Sequence, residues 1–281
     1  AAGIAWWGPW WWWTPQDTSW LAGNQLIARC FVDHYDVTVG DGTANQGLVV
    51  VDLASQSVKT IGLAYDEVRN IDVVNGTVYL STKKSLGQDL MGRGVCAFYV
   101  TALNPQTAVA GPAANVPGEY ASYDPASGRL LLRDFQYDYA AYSVTRTLYS
   151  AQWHGGAAVQ VLGKLEQPQE WGSSLLARGN RIYYDTYNNG FGVGEINIAS
   201  DGSLAAGPTI TAANAWGYLL GASDTSVYTV LGGSVIARYD FSGTPALKEV
   251  LNVMGTPTRV RLGSAVAYLP LGYSGLAELP K

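Results

Sequence analysis

The sequence predicts an all-β fold made from one repeated unit of four short antiparallel strands. Three observations point there. Residues 169–210 break into β-rich runs at 172–177, 181–184, 194–198 and 204–210, separated by Gly179-Asn180, Asn188-Asn189-Gly190 and Asp201-Gly202. Runs of Leu, Val, Ile and Tyr bounded by Gly, Asn and Asp are the signal of strands joined by turns. The same grammar returns along the chain at a steady spacing. The composition suits many turns and tight strand packing, with 48% hydrophobic residues, 14% charged residues and 33 glycines in 281 positions.

Taken in order, the units open on PQDTSWLAGNQLIARC from Pro15, YDEVRNIDVVNGTVYL from Tyr65 and PGEYASYDPASGRLLL from Pro117. They continue with PQEWGSSLLARGNRIYY from Pro168, ANAWGYLLGASDTSVYTV from Ala213 and GTPTRVRLGSAVAYL from Gly255. The third position of each is Asp17, Glu67, Glu119, Glu170, Ala215 and Pro257, at spacings of 50, 52, 51, 45 and 42. Four-stranded propeller blades repeat every ~40–50 residues, so the period predicts a six-bladed β-propeller in a single domain. The blades fall at about 15–63, 65–110, 117–163, 168–210, 213–251 and 255–281. Residues 1–13 join the last blade, where residues 3–7 supply the strand that the short final unit lacks. Without that strand the sheet would keep an open edge. Seven blades with degenerate ends, or two stacked sandwiches, are the alternatives. Asn75-Gly76-Thr77 matches a glycosylation sequon, but Asn-Gly is the preferred two-residue hairpin connection, and a turn is expected there.

This pattern resembles the six-bladed β-propeller superfamily over nearly the whole chain. It is similar to uncharacterised secreted bacterial β-propeller domain proteins. No family-specific motif is matched: the Asp-box of sialidases, the Trp-Asp endings of WD40 repeats and the double glycine of kelch repeats are absent. The resemblance implies that the loop entering each blade and the loop between its second and third strands share one face. On that face lie Asp33-His34-Tyr35-Asp36, residues 81–94, Arg133-Asp134-Phe135-Gln136-Tyr137-Asp138-Tyr139, and Asp185-Thr186-Tyr187-Asn188-Asn189. Polar and aromatic insertions on one side of a rigid scaffold are the usual location of binding sites.

Charge and cysteine content narrow the partners. Net charge is −5 and no basic cluster exceeds Lys83-Lys84, so a nucleic-acid surface is not expected. No apolar run reaches the ~18 residues of a transmembrane helix. The opening AAGIA reads as a mature terminus after cleavage or as a cut inside a longer protein. Two cysteines in a Trp- and Tyr-rich, Lys-poor chain suggest an extracytoplasmic location. Cys30 and Cys96 either form one disulfide or remain buried thiols.

Asp17, Glu67, Glu119 and Glu170 occupy equivalent entry positions and would converge near the mouth of a central channel. Like charges held close need a cation, a basic neighbour or raised pKa values. A hard cation such as Ca²⁺ is one expectation, since it accepts carboxylate oxygens. The other is that each carboxylate accepts hydrogen bonds at a strand start. His34 and Asp36 fall on one side of an extended strand and suit acid–base work, metal binding or an ordering hydrogen bond. His154 reads as a turn residue on the opposite face. No nucleophile elbow, phosphate loop or Cys-x-x-Cys pair is present.

Trp6, Trp7, Trp10, Trp11, Trp12 and Trp13 crowd into eight positions. Each buries on the order of 200 Å² when packed. Any that do not pack form an exposed aromatic patch of the sort that marks interaction sites. The expected function is therefore an extracytoplasmic, non-enzymatic binding or assembly module. It would recognise a protein partner or a glycan through an aromatic, acidic face formed by Trp10, Trp11, Trp12, Trp13, Tyr120, Trp171, Trp216, Tyr137 and Tyr187. A metal-dependent hydrolase or lyase, with one divalent cation on the entry acids, is the alternative.

Overall fold

The computed structural model describes residues 19–32, 45–62, 67–88, 94–124, 126–138, 143–168, 171–187, 190–211, 217–255, 257, 260–262, 266–271 and 274–280. These residues are all-β, contain no α-helix and form six antiparallel sheets. Sheet one runs β1 (Ser19–Ala22), β2 (Gln25–Val32), β3 (Asn45–Asp52) and β4 (Val58–Gly62). Sheet two runs β5 (Glu67–Val74), β6 (Thr77–Gln88), β7 (Gly94–Asn104) and β8 (Val109–Ala110), with β9 (Ala114–Val116) also paired to β7. Sheet three runs β10 (Glu119–Asp124), β11 (Arg129–Asp138), β12 (Ser143–Gln152) and β13 (Gln160–Pro168). Sheet four runs β14 (Trp171–Arg178), β15 (Arg181–Thr186), β16 (Gly192–Ile198) and β17 (Leu204–Thr211). Sheet five runs β18 (Gly217–Ala222), β19 (Ser226–Leu231), β20 (Val235–Asp240) and β21 (Ala246–Asn252). Sheet six has three described strands, β22 (Arg261–Leu262), β23 (Val266–Pro270) and β24 (Leu276–Pro280). Sequential four-stranded meanders of this kind are propeller-like.

The chain forms two compact units. The first holds sheets one and two with residues 119–134 and 148–162 of sheet three, and the second holds residues 135–147 and 163–281.

Local chemistry sets the hairpins. Asn75 and Gly76 both take positive φ, 51° and 79°, between paired Val74 and Thr77, which gives the expected two-residue turn. Gly23 and Gly179 open the equivalent turns of sheets one and four with φ of 61° and 54°. At the far end of the third strand, a short acid or amide caps the outer hairpin. Asp52 Oδ1 accepts the Ala54 and Ser55 amides at 2.9 and 2.8 Å. Asn104 Oδ1 accepts those of Gln106 and Thr107 at 2.9 and 3.2 Å, and Asp240 Oδ1 accepts Ser242 at 2.8 Å. These are Asx-turns repeated at one place in three sheets. The bonds to backbone hold the Asp52 and Asp240 carboxyls below their ordinary range, led by the amides of Ser55 and Ser242 respectively.

A second repeat lies in the first strands. The register slips by one residue at Val68/Asn70 in sheet two, Tyr120/Ser122 in sheet three and Leu219/Gly221 in sheet five. A bulge there bends the strand and increases its twist, and ordinary alternation sends neighbouring side chains to opposite faces. Leu219 joins the cluster with Tyr183, Val193 and Ala237, whereas Leu220 joins Tyr218, Val230 and Leu269 on the other side.

Apolar clusters between neighbouring sheets hold each unit together. Ile27, Leu48 and Val50 of sheet one meet Val68, Val78 and Leu80 of sheet two. The other face of sheet two brings Tyr79, Val100 and Val116 against Tyr120, Tyr123, Leu132 and Trp153. Tyr79, Tyr123 and Trp153 pack as a three-ring group, with centroids 4.6–5.9 Å apart and tilted or edge-on. Such pairs add ~0.5–1.5 kcal/mol beyond area burial. Gly194 is required where it stands, because a Cβ would enter the ring of Tyr184 paired across the ladder.

Residues 81–94 and 133–139 are expected from the sequence as long loops. Strand instead occupies most of both, since β6 continues to Gln88, β7 begins at Gly94 and β11 continues to Asp138. Alternation explains it: Phe135 and Tyr137 recur at every second position, and aromatic residues favour a pleated backbone. The bridge between Cys30 and Cys96 does not form, because Cys96 is a free, partly buried thiol.

Leu80 has no exposed surface. Leu80→Ala is expected to lower unfolding free energy by about 2–5 kcal/mol in urea denaturation. Lys84→Ala, on an exposed part of the same strand, should stay within ~0.5 kcal/mol of wild type.

Candidate functional site

One group of side chains gathers at the end of sheet four where β15 hands over to β16. Asp185 is the penultimate residue of β15, pairs with Val193 and is fully buried. Alternation puts it on the face that Tyr183 and Val193 present to sheet five. Tyr187 follows two residues later and is 49% exposed. Its hydroxyl donates to the Gly217 carbonyl at the start of β18, and its ring meets the Phe191 ring edge-on at 5.8 Å. Gly217 must be glycine, because a Cβ would strike the Val230 carbonyl and press on the buried Phe191 ring.

Electrostatics ties Arg146 of β12 to this group. Burial lowers the Arg146 guanidinium pKa while the charge of Asp185 raises it. Burial first, and then the nearby Asp185 charge, push the Tyr187 phenol up to about 12. The phenol therefore stays protonated as a donor across physiological pH. Buried Asp185 lies near Arg146 and the phenol, and an aromatic ring lies half open to solvent beside them. Such an arrangement can bind a polar ligand that stacks on a ring. It offers no nucleophile with an adjacent base.

The structure treats the sequence candidates unequally. Trp10, Trp11, Trp12, Trp13, Asp17, Glu170 and Trp216 lie outside the described residues, as do His34 and Asp36. Glu67 opens β5, Trp171 opens β14 and Tyr137 sits in β11, while the side chains of these three lie outside the description. Tyr120 is 1% exposed and belongs to the core. Its hydroxyl donates to Asp72 Oδ2 at 2.8 Å and its amide to Ser81 Oγ at 3.2 Å, so it fastens sheet three to sheet two and offers no surface. Burial, and then the Asp72 charge, hold its phenol well above the ordinary value. Glu119 opens β10 opposite Arg133, whose guanidinium lies 3.8 Å away. Glu67 pairs in the same register with Lys83. Each entry acid of sheets two and three thus has a basic residue across the ladder. Among the described residues no group of three or more His, Cys, Asp or Glu is placed to hold a metal ion, and no helix is long and apolar enough to cross a membrane.

Arg146 was not legible as a functional group, since one basic residue in an alternating strand carries no spacing signal. Asp185 and Tyr187 were visible as loop chemistry, but Phe191 and Gly217 acquire meaning only from the contact between sheets four and five.

A structural comparison matches the acylaminoacyl peptidase of Pyrococcus horikoshii with a TM-score of 0.56 at 12% sequence identity. The match covers 92% of this chain and 44% of that one, so the chain spans less than half of the peptidase. That peptidase has a β-propeller domain. The likeness is one of fold. No family model matches the chain, and no curated protein matches it.

The raised Tyr187 phenol has a consequence in alkali. The unfolded chain loses this proton near pH ~10, whereas the folded chain keeps it to about 12. Its stabilising effect is complete below pH ~10 and drains away between the two values. Tyr187→Phe should therefore lose stability less steeply than wild type across that window, as read from urea midpoints at several alkaline pH values.

Proposed function

We propose that the chain is an extracytoplasmic, six-bladed β-propeller that acts as a non-enzymatic recognition module for a glycan or protein partner. The observation that carries this reading is the half-exposed Tyr187 ring, braced by Phe191 and Gly217 beside buried Asp185. A ring held rigidly with one face open loses little entropy on binding, which is why aromatic side chains serve as recognition anchors. The asymmetry of the hairpins supports the same reading. Asx caps close the outer hairpins of sheets one, two and five, whereas the β15–β16 connection of sheet four carries Tyr187 and Phe191. Residues 3–7 complete the last blade in this proposal, consistent with three described strands in sheet six and at least four in each other sheet. Trp10, Trp11, Trp12, Trp13, Trp171, Trp216 and Tyr137 would extend the aromatic surface. The Lys-poor composition supports placement outside the cytoplasm.

Glycan-array binding of the purified chain tests the proposal. Tyr187→Ala and the combined alanine variant of Trp10, Trp11, Trp12 and Trp13 are expected to weaken binding at least about tenfold, the loss of a single aromatic hot spot. Unchanged binding by folded variants, to glycans or to any cross-linked protein partner, would remove it.

The equivalent placement of Glu67 and Glu119 at the starts of β5 and β10 supports a second reading. Here one divalent cation such as Ca²⁺ sits on Asp17, Glu67, Glu119 and Glu170, for hydrolase or lyase chemistry. Binding to the folded state alone would raise the melting temperature with added Ca²⁺, and Glu119→Gln would abolish the rise. A melting temperature indifferent to Ca²⁺ dismisses this reading.

A further inference from the structure

Sheet two carries a two-stranded ribbon that outruns its neighbours. The pairing of β5 with β6 begins at Glu67 opposite Lys83, yet β6 continues to Gln88. Strand β7 accompanies it, with Lys84 opposite Ala97, Ser85 opposite Cys96 and Gln88 opposite Gly94. On the far side of β7, β9 reaches only as far as Val116 opposite Phe98. The chain then bends at Pro117 and Gly118 before entering β10. On the side away from β6, residues 94–97 of β7 therefore have no strand beside them among the described residues.

The ribbon surface is apolar and basic. Lys84 and Ala97 are cross-strand partners and share a face, and Val95 lies two residues further along β7 on that face, while Leu86 stands beside Gly87 in the irregular stretch between Ser85 and Gln88. Leu86 is 58% exposed and Val95 39% exposed, and Lys84 is exposed as well. Residues 83–88 and 94–97 include Lys83 and Lys84 and no acid, in a chain whose net charge is −5. Bare strand edges are templates for another strand, and an isolated two-stranded ribbon is marginal in water. A third strand would satisfy the backbone groups of 94–97 and cover Val95.

We propose that the β7 edge at residues 94–97 is a docking site for an extended, acidic segment of a partner protein, which pairs with β7 as an added strand. Backbone hydrogen bonds would supply affinity, and alternate side chains would supply selectivity. An apolar residue of the segment would lie beside Val95, and carboxylates on the same face would lie within reach of the long Lys84 side chain. This surface shares no residue with the aromatic group at Tyr187, so either proposal can fail alone.

The probe is a fluorescein-labelled, capped peptide in which Val and Glu take turns at every second position with Ser between them, so that both fall on one face, and its control carries Lys in place of Glu. Fluorescence anisotropy should register binding of the acidic peptide at least about tenfold tighter than the control, weakening with salt. Hydrogen exchange should slow at the amides of residues 94–97 in its presence. Lys84→Glu combined with Val95→Ser, both exposed changes, should cost at least about tenfold in affinity while far-UV circular dichroism stays as in wild type. Equal binding of the two peptides, or undiminished binding by the folded variant, overturns the proposal. Protection of 94–97 that grows with protein concentration in the absence of peptide also overturns it, because a second copy would then be the occupant.

Discussion

Sheets two and five bury both of their faces, and a sheet with two apolar faces is stable only between two neighbours. In sheet five, β18 and all but the last residue of β19 are buried, so alternation between water and core is lost. One face contributes Leu219, Val227 and Ala237 to the cluster shared with sheet four, and the other contributes Tyr218, Tyr228 and Ile236 to the cluster shared with sheet six. Sheet two does the same between sheets one and three. Face-to-face stacking of sheets one to three, and of sheets four to six, follows, because it covers both apolar sides of the middle sheet.

Stacking by apolar contact alone is not directional, and polar side chains supply the register. Tyr183 donates to the Asp224 carbonyl at 2.9 Å, Arg178 to the Ala222 carbonyl at 2.6 Å and Arg181 to the Phe241 carbonyl at 2.8 Å, all reaching from sheet four to sheet five. Sheet five reaches onward through Tyr218, whose hydroxyl donates to Pro257 at 2.9 Å, and through the Leu220 carbonyl, which accepts from the Val260 amide at 2.9 Å. Main-chain carbonyls near turns would otherwise be left half satisfied against a neighbouring sheet. A tyrosine in this position spends its ring on the cluster and its hydroxyl on the next sheet. Burial then raises the phenols of Tyr183 and Tyr218, a by-product of the same placement.

Much of this was legible from periodicity. The four strands expected within 169–210 appear as Trp171–Arg178, Arg181–Thr186, Gly192–Ile198 and Leu204–Thr211. Asn75-Gly76 announced its turn by chemistry alone. What stayed hidden depends on contacts between sheets. Tyr120 follows an entry acid and so read as a rim residue, yet the bulge between Tyr120 and Ser122 lies where its ring enters the core. Arg133 and Lys83 oppose Glu119 and Glu67 only because the register sets them there, and no linear spacing announces a cross-strand pair. The β6–β7 extension escaped because Gly87 and Gly94 within it resemble loop residues. Gly87, at φ 96°, lies instead in an irregular stretch of the ladder between Ser85 and Gln88.

The two ends of the sheets face different physical demands, and that difference directs chemistry to one of them. At the outer hairpins of sheets one, two and five, an Asx cap needs its acid or amide at a fixed offset from the turn amides, which constrains the side chain there. At the opposite end, the β6–β7 and β11–β12 hairpins run beyond their pairing with the first strand, past Lys83 and Arg133 respectively. Backbone paired within its own hairpin is held without a first strand beside it, though its outer edge stays open. Sequence there is released from core packing, and residues such as Leu86 and Val95 can stand in solvent without cost to the stack behind them. Tyr187 reaches a similar freedom differently, since the Gly217 carbonyl and Phe191 fix the ring from one side and leave the other open. Rigid support beneath and unconstrained surface above is the condition under which a repeated structural scaffold acquires a specific partner.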